Sequence, residues 1–317
     1  MRPLVTVICL CYNHEKFVRK AVESVIRQTY KPVQIILRDD ASTDGSALVI
    51  QALKNEYPFL ETTLSPVNQG NCRAFNTAYA HARGSYVVDF ATDDIMNEYR
   101  LEKQLTFFEQ QGKDVGVVFT DASYIDEGGN FLRDHFEYLY KHKIIRRIPS
   151  GDVYKDVLST YFIATPTMMI RREVLEYLGG YDEELAYEDF DFVVRSSRDF
   201  KYGFLNEKLT LIRKLATSMS ATQYAHGDKQ LHSTYLVCRK AKLLNRNVDE
   251  DNALIKRVRY EFRQAALYGK REEAHLFYEF LKELKGVTGE DHLLRILHHS
   301  RISLRPLMKI YHWWRFR

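Results

Sequence analysis

The sequence predicts an α/β fold, a mainly parallel, doubly wound sheet flanked by helices, with a C-terminal helical appendage. Three observations carry this prediction. Short β-rich runs alternate with helical stretches of about 10–15 residues through the first third of the chain, the pattern of strand–helix–strand crossovers. Acidic pairs, Asp39-Asp40 and Asp93-Asp94, stand directly after two of those runs. Beyond about residue 222 the strand patterning stops and helical periodicity takes over.

Residues 5–10 read as the first strand, with Cys9 and Cys11 two apart and therefore on one face, as core packing. Phe17, Ala21, Val25 and Ile26 form an apolar stripe in a helix over 17–28. A second strand, 34–37, ends in Arg38-Asp39-Asp40. Ser42-Thr43-Asp44-Gly45-Ser46 is a turn and N-cap cluster before a helix over 47–54. A third strand at 60–64, a turn at 68–70 and a helix over 72–82 lead to a fourth strand, 85–90. That strand runs into Ala91-Thr92-Asp93-Asp94, with a helix starting near Glu98. From about residue 115 the pattern is mixed. It holds a strand at 116–120, a hairpin-like turn at 126–130, an apolar run over 162–170 around Pro166 and a helix over 172–178. The turn Gly179-Gly180 and a carboxylate cluster over 182–191 follow, and 254–268 and 272–284 are helical. The division expected is an α/β unit over 1–221 and a helical region over 222–317.

Bulk properties exclude several classes. A chain of 317 residues with 45% hydrophobic and 28% charged content has the composition of an ordinary globular protein. No run approaches the ~20 apolar residues of a membrane span, and residues 4–11 read as a strand rather than a signal peptide. A net charge of +4 gives no reason to expect nucleic acid. Four cysteines without a CxxC pair suit a reducing cytoplasm.

Ligands of open α/β sheets bind at the carboxyl ends of the strands. Two acidic pairs at equivalent strand ends therefore point to a site for a cation, a ribose or a base, where one pair alone reads as a loop or cap. Five segments then carry a family resemblance. They are Val5 through Asn13, Leu37 through Ser46, Asn68-Gln69-Gly70 with Ala74-Phe75-Asn76, Gly84 through Asp94, and Gly179-Gly180-Tyr181-Asp182-Glu183 with Glu188-Asp189-Phe190-Asp191 and Arg195. In this order and spacing, over about residues 3–220, the chain resembles the family 2 inverting glycosyltransferases, which have the GT-A fold.

The resemblance implies a sugar moved from a nucleotide-diphospho-sugar, a UDP-linked donor, to a hydroxyl of a glycan or lipid-linked acceptor in cell-surface polysaccharide assembly. It implies that Asp94, with Asp93, holds Mn²⁺ or Mg²⁺, hard cations that take carboxylate and phosphate oxygens, and that Asp93 also meets the ribose. Asp40 is expected to accept the N–H of the base, Asp39 to support that loop, and Leu10 and Tyr12 to line the base pocket. Arg73 is expected near the base or diphosphate, or else as a solvated surface residue. Asp189, with Glu188 beside it, is the expected catalytic base, and Thr165 to Thr167 either line the acceptor side or form a plain strand edge. Asp182, Glu183 and Glu184 read as an acidic helix N-terminus.

The sequence departs from the family pattern twice. Ala91 replaces the first Asp of the usual Asp-x-Asp, and in Arg213-Lys214-Leu215 a Leu stands where the family often has His. A nucleotidyltransferase would show a Gly-rich basic phosphate loop, which residues 10–20 lack. A non-catalytic sugar-nucleotide or glycan-binding module would not need Asp40, Asp94 and Asp189. Finally, residues 295–317 hold six Lys/Arg and no acid, with Trp313 and Trp314 and an apolar stripe of Leu304, Leu307, Met308, Tyr311 and Trp314. This pattern suits peripheral contact with the inner face of a membrane and equally a helix docked on its own domain or in a homo-oligomer.

Overall fold

The computed structural model describes residues 2–216, 218 and 228–299. Strand β1 (Val5–Cys11), helix α1 (Val18–Ile26), β2 (Val33–Asp39), α2 (Ser46–Glu56), β3 (Glu61–Leu64), α3 (Asn71–Tyr79) and β4 (Tyr86–Ala91) alternate as the sequence predicts. They form a parallel block in which β1 pairs with β2 and β4, and β2 with β3. All seven residues of β1 are buried because helices cover both faces of the sheet.

Beyond β4 the sheet becomes mixed. The short β5 (Ile95–Met96) precedes α4 (Arg100–Glu109), and β6 (Val115–Ile125) turns at 126–130 into β7 (Phe131–Asp134). Helices α5 (His135–Lys141) and α6 (Tyr154–Ser159) lead to β8 (Met169–Arg171), α7 (Arg172–Leu178), α8 (Asp189–Ser196) and the long β9 (Lys201–Arg213). The sheet order is β3-β2-β1-β4-β8-β6-β9-β5, with β7 on β6. β8 is antiparallel to both β4 and β6, whereas β6 and β9 run parallel. The apolar run 162–170 is strand only at its end, since Thr165–Thr167 form a single 3₁₀ turn around Pro166.

Helices α9 (Gln230–Leu244), α10 (Val248–Tyr268), α11 (Arg271–Glu283) and α12 (Gly289–His299) complete the described chain. They share one apolar core with the α3 face of the sheet, where Phe75, Tyr181, Phe190, Cys238, Leu254 and Phe277 belong to a single cluster. Polar ties fix the join. The Tyr154 hydroxyl is 2.8 Å from Asn245 Oδ1, and Lys240 donates to Asp182 and, at 2.7 Å, to Asp191 Oδ1. Among the described residues no helix is long and apolar enough to cross a membrane. The basic segment with Trp313 and Trp314 lies outside the described residues, apart from its beginning at 295–299.

Candidate active site

β1, β2 and β4 pair in register up to Cys11–Asp39 and Leu10–Ala91, so their chains leave the sheet at one edge. The Asp40 N–H then donates to Cys11 O (2.9 Å) and the Thr92 N–H to Leu10 O (3.0 Å). This brings Leu10, Asp39, Asp40, Asp93 and Asp94 together, with Tyr12 nearly half exposed beside them. The loops after β1 and β2 also clasp each other. The Asn13 and His14 N–H groups donate to the Ser42 and Ser46 hydroxyls, and the Thr43 N–H to Asn13 Oδ1. The cluster 42–46 thus locks two loops together, beyond its role as a helix start.

Asp39 is buried and braces its own turn, accepting the Ser42 N–H and hydroxyl at 2.9 and 2.5 Å. Asp40 accepts the Gln69 N–H on both oxygens, at 3.0 and 3.1 Å, and the Gly70 N–H at 2.9 Å, three contacts that tie down the loop 68–70. Gly70 makes this turn at φ 80°, where an L side chain would be strained. A carboxylate has about four lone-pair sites, so Asp40 keeps capacity for one further N–H donor.

Asp94 is 2% exposed, and its Oδ1 accepts the Arg213 N–H at 2.8 Å. Burial first, then the Asp93 charge, pushes its pKa well above the ordinary carboxylate value. Three side chains that sequence reasoning did not place complete this corner. His14 lies 4.0 Å from Asp93. Because the Thr92 hydroxyl donates to Leu10 O, it must accept the His14 Nδ1 proton at 2.9 Å. The fully buried Arg100 donates to Gln104, Thr210 and Met168 O at 3.0 Å each and supplies a positive charge behind Asp94. The guanidinium of Arg213 donates to Asp93 O, Asp126 O and Glu127 O at 2.9 Å each and stacks on Phe17. The only hint was that a buried Arg needs several acceptors, and these come from residues far apart in sequence.

The second group of acids surrounds the start of α8. Glu188 is buried and accepts from Asn71 Nδ2 at 2.5 Å. Asp189 is half-buried and opens α8, where the helix dipole favours its negative charge. It is hydrogen-bonded to Thr165, whose hydroxyl is 2.5 Å from Tyr161 Oη. Burial, followed by the Glu188 charge, drives the Asp189 pKa well up. Asp89, on the same face of β4 as Ala91, accepts from Tyr181 Oη at 3.1 Å, and burial with Glu188 raises its pKa too. Asp89 carries no sequence signal, because a mid-strand acid resembles ordinary surface alternation.

One expectation changes and another narrows. Arg73 stands as the more exposed of its two expected settings, a surface residue paired with Glu183 at 2.8 Å. Asp182, Glu183 and Glu184 precede α8 as a loop, with Asp182 bound to Lys240 and Glu183 to Arg73 and Asn76; the acids of the helix start are Asp189 and Asp191.

A mixed sheet with helices on both faces, carrying paired acids at the carboxyl ends of its parallel strands, has the GT-A architecture of glycosyltransferases. The chain belongs to the family described as Glycosyl transferase family 2, whose model matches residues 6–179. It is 31% identical over 216 residues to an uncharacterized glycosyltransferase of Methanocaldococcus jannaschii, covering 67% of this chain and 71% of the relative. The fold is similar to that of S. aureus TarS 1-349 in complex with UDP-GlcNAc (TM-score 0.68, 18% identity, covering 92% of this chain and 83% of that one). It is also similar to the mannosyltransferase PcManGT of Pyrobaculum calidifontis in complex with GDP-Man and Mn²⁺ (TM-score 0.62, 16% identity, 98% and 83% covered). The chain is thus a glycosyltransferase.

Proposed function

We propose that this glycosyltransferase inverts the anomeric centre of a UDP-linked sugar as it moves it to a hydroxyl of a glycan or lipid-linked acceptor in cell-surface polysaccharide assembly. One observation carries the reading: Asp40 holds the Gly70 N–H at 2.9 Å and the next residue, Asn71, donates to Glu188 at 2.5 Å, so the loop tied to the strand-end acids also ties down the base segment. A leaving diphosphate on one side and a proton acceptor on the other is what in-line displacement at an anomeric carbon needs.

Tyr12 offers a ring for the base to stack on, and Asp40 the remaining acceptor for its N–H. The TarS complex with UDP-GlcNAc and the PcManGT complex with GDP-Man and Mn²⁺ support a nucleotide-sugar donor and a divalent cation. Among the described residues no group of three His, Cys, Asp or Glu is placed to hold a metal ion. The donor set fits a cation that arrives with the substrate, because Mg²⁺-type sites commonly use one or two carboxylates plus substrate phosphates. Asp94 and Asp93 would hold it. When bound it neutralises charge growing on the diphosphate.

Asp189 takes the proton of the attacking hydroxyl. Its raised pKa makes it a stronger base than a solvated carboxylate, and Thr165 and Glu188 hold it in place. The test is release of sugar from UDP-, GDP- and dTDP-linked donors, with Mn²⁺ or with EDTA. Turnover confined to UDP-sugars and abolished by EDTA is expected; full turnover in EDTA would refute the cation's role.

A further inference from the structure

Two cations near the acid pair form no ion pair with any described residue. Lys214 Nζ sits over the Tyr124 ring, 4.6 Å from its centroid, and the Arg133 guanidinium lies over the same ring at 4.9 Å and over Tyr138 at 3.5 Å. Both residues are half-buried. Among the described residues neither side chain makes a hydrogen bond or an ion pair. Other basic side chains nearby are matched, Lys208 with Asp134 at 2.5 Å and Lys16 with Glu127 at 2.9 Å.

The platform beneath them is fixed. Tyr124 Oη is 3.2 Å from His135 Nδ1, and His135 Nε2 is 2.7 Å from Phe162 O, so the ring nitrogen facing the carbonyl carries the proton and the other accepts from Tyr124. Burial lowers the His135 pKa, which keeps the imidazole neutral at neutral pH. The Lys214 backbone is pinned as well, its N–H donating to Ile125 O at 2.9 Å while the Arg213 N–H holds Asp94.

Two like charges on one aromatic ring repel each other, and a fold keeps such a pair partly out of water at a cost. Asp93 and Asp94 act on Lys214 only through space. A bound anion would remove the repulsion, and its oxygens would meet donors that currently have no acceptor.

We propose that Lys214 and Arg133, held on Tyr124 next to the strand end where the Arg213 N–H binds Asp94, seat an anionic group of a substrate, a phosphate or a carboxylate. The seat rests on the sugar-transfer reading above and adds a specificity element to it. Two sources carry this chemistry, the diphosphate of the donor and an acid group on the acceptor.

The test is calorimetric titration of the full chain with UDP, uridine, inorganic phosphate and glucuronate in Mn²⁺. It uses the unaltered protein, Lys214→Met, Lys214→Arg and the double variant Lys214→Met/Arg133→Met, each checked for native circular dichroism. If the donor supplies the anion, Lys214→Met weakens UDP at least tenfold and leaves uridine unchanged, and Lys214→Arg restores most of the loss. If the acceptor supplies it, UDP binding is unchanged, while phosphate or glucuronate binding falls at least tenfold in Lys214→Met and further in the double variant. Titrations of UDP, phosphate and glucuronate that all stay within twofold in the double variant would overturn the seat. An unaltered protein that binds phosphate or glucuronate through this pair but never binds UDP would refute the donor reading and leave the seat standing.

Discussion

Replacing Arg213 by Met should loosen the acid pair without touching a carboxylate. The guanidinium joins three segments through Asp93 O, Asp126 O and Glu127 O, at 2.9 Å each, and lies over Phe17 with its centre 4.6 Å from the ring centroid. A hydrogen bond from a charged donor contributes about 1.5–3 kcal/mol. The carbonyls of Asp126 and Glu127 lie in an exposed turn and can be rehydrated, so their loss costs little. The bond to Asp93 O and the stacking on Phe17, on the order of 1 kcal/mol, remain to be lost, giving a destabilisation of about 3 kcal/mol. For a chain of 317 residues, at about 2.1 cal/mol/K of unfolding entropy per residue, that lowers Tm by about 4–5 °C. The exposed Arg19, paired with Glu56 and Glu23, is the control, and its replacement by Met should cost below about 1 kcal/mol. Urea denaturation followed by circular dichroism measures both, and donor hydrolysis of Arg213→Met should fall as Asp93 shifts. A loss below 1 kcal/mol with unchanged hydrolysis would refute the idea that Arg213 sets the position of this corner.

Further outcomes follow from the same geometry. Asp94→Asn should abolish turnover while raising thermal stability, because it removes a buried charge whose pKa the fold pushes up; scanning calorimetry and donor hydrolysis check both. Asp189 must lose its proton to act, so activity rises with pH along an acid limb placed above the ordinary 3.8 by burial and Glu188. The same shift means that this group contributes most stability below 3.8 and that its contribution is lost as pH rises through the raised folded value. Glu188→Gln should therefore move the acid limb of the rate profile downward; an unmoved limb would detach Glu188 from the base. Truncation at Ser300 should abolish salt-sensitive binding to anionic vesicles while hydrolysis of the soluble donor persists, and light scattering would reveal an assembly role instead.

The first half of the sheet was legible because each strand is short, apolar and followed at once by its own helix. The acids at the ends of β2 and β4 could be aligned from sequence because parallel strands in register deliver them to one edge. β9 was not foreseen. Its segment mixes Gly203, Asn206, Glu207 and Lys208 among apolar residues, and its partner β6 lies more than seventy positions upstream, so no local pattern announces the pairing. That pairing nevertheless delivers Arg213 to Asp93 and Lys214 to Tyr124. Arg73 shows the same limit from the other side. The resemblance left it either near the donor or on the surface, and its partner Glu183, 110 positions away, is brought close only by folding.

The most direct test of the account is the configuration of the sugar first released from the donor. Proton NMR in the opening minutes of UDP-sugar hydrolysis, before mutarotation, reads the anomer formed. A base at Asp189 acting opposite the diphosphate predicts a sugar of inverted configuration and about 10²–10⁴-fold slower release in Asp189→Asn with UDP affinity unchanged. A sugar released with its original configuration would contradict both the role of Asp189 and the single displacement.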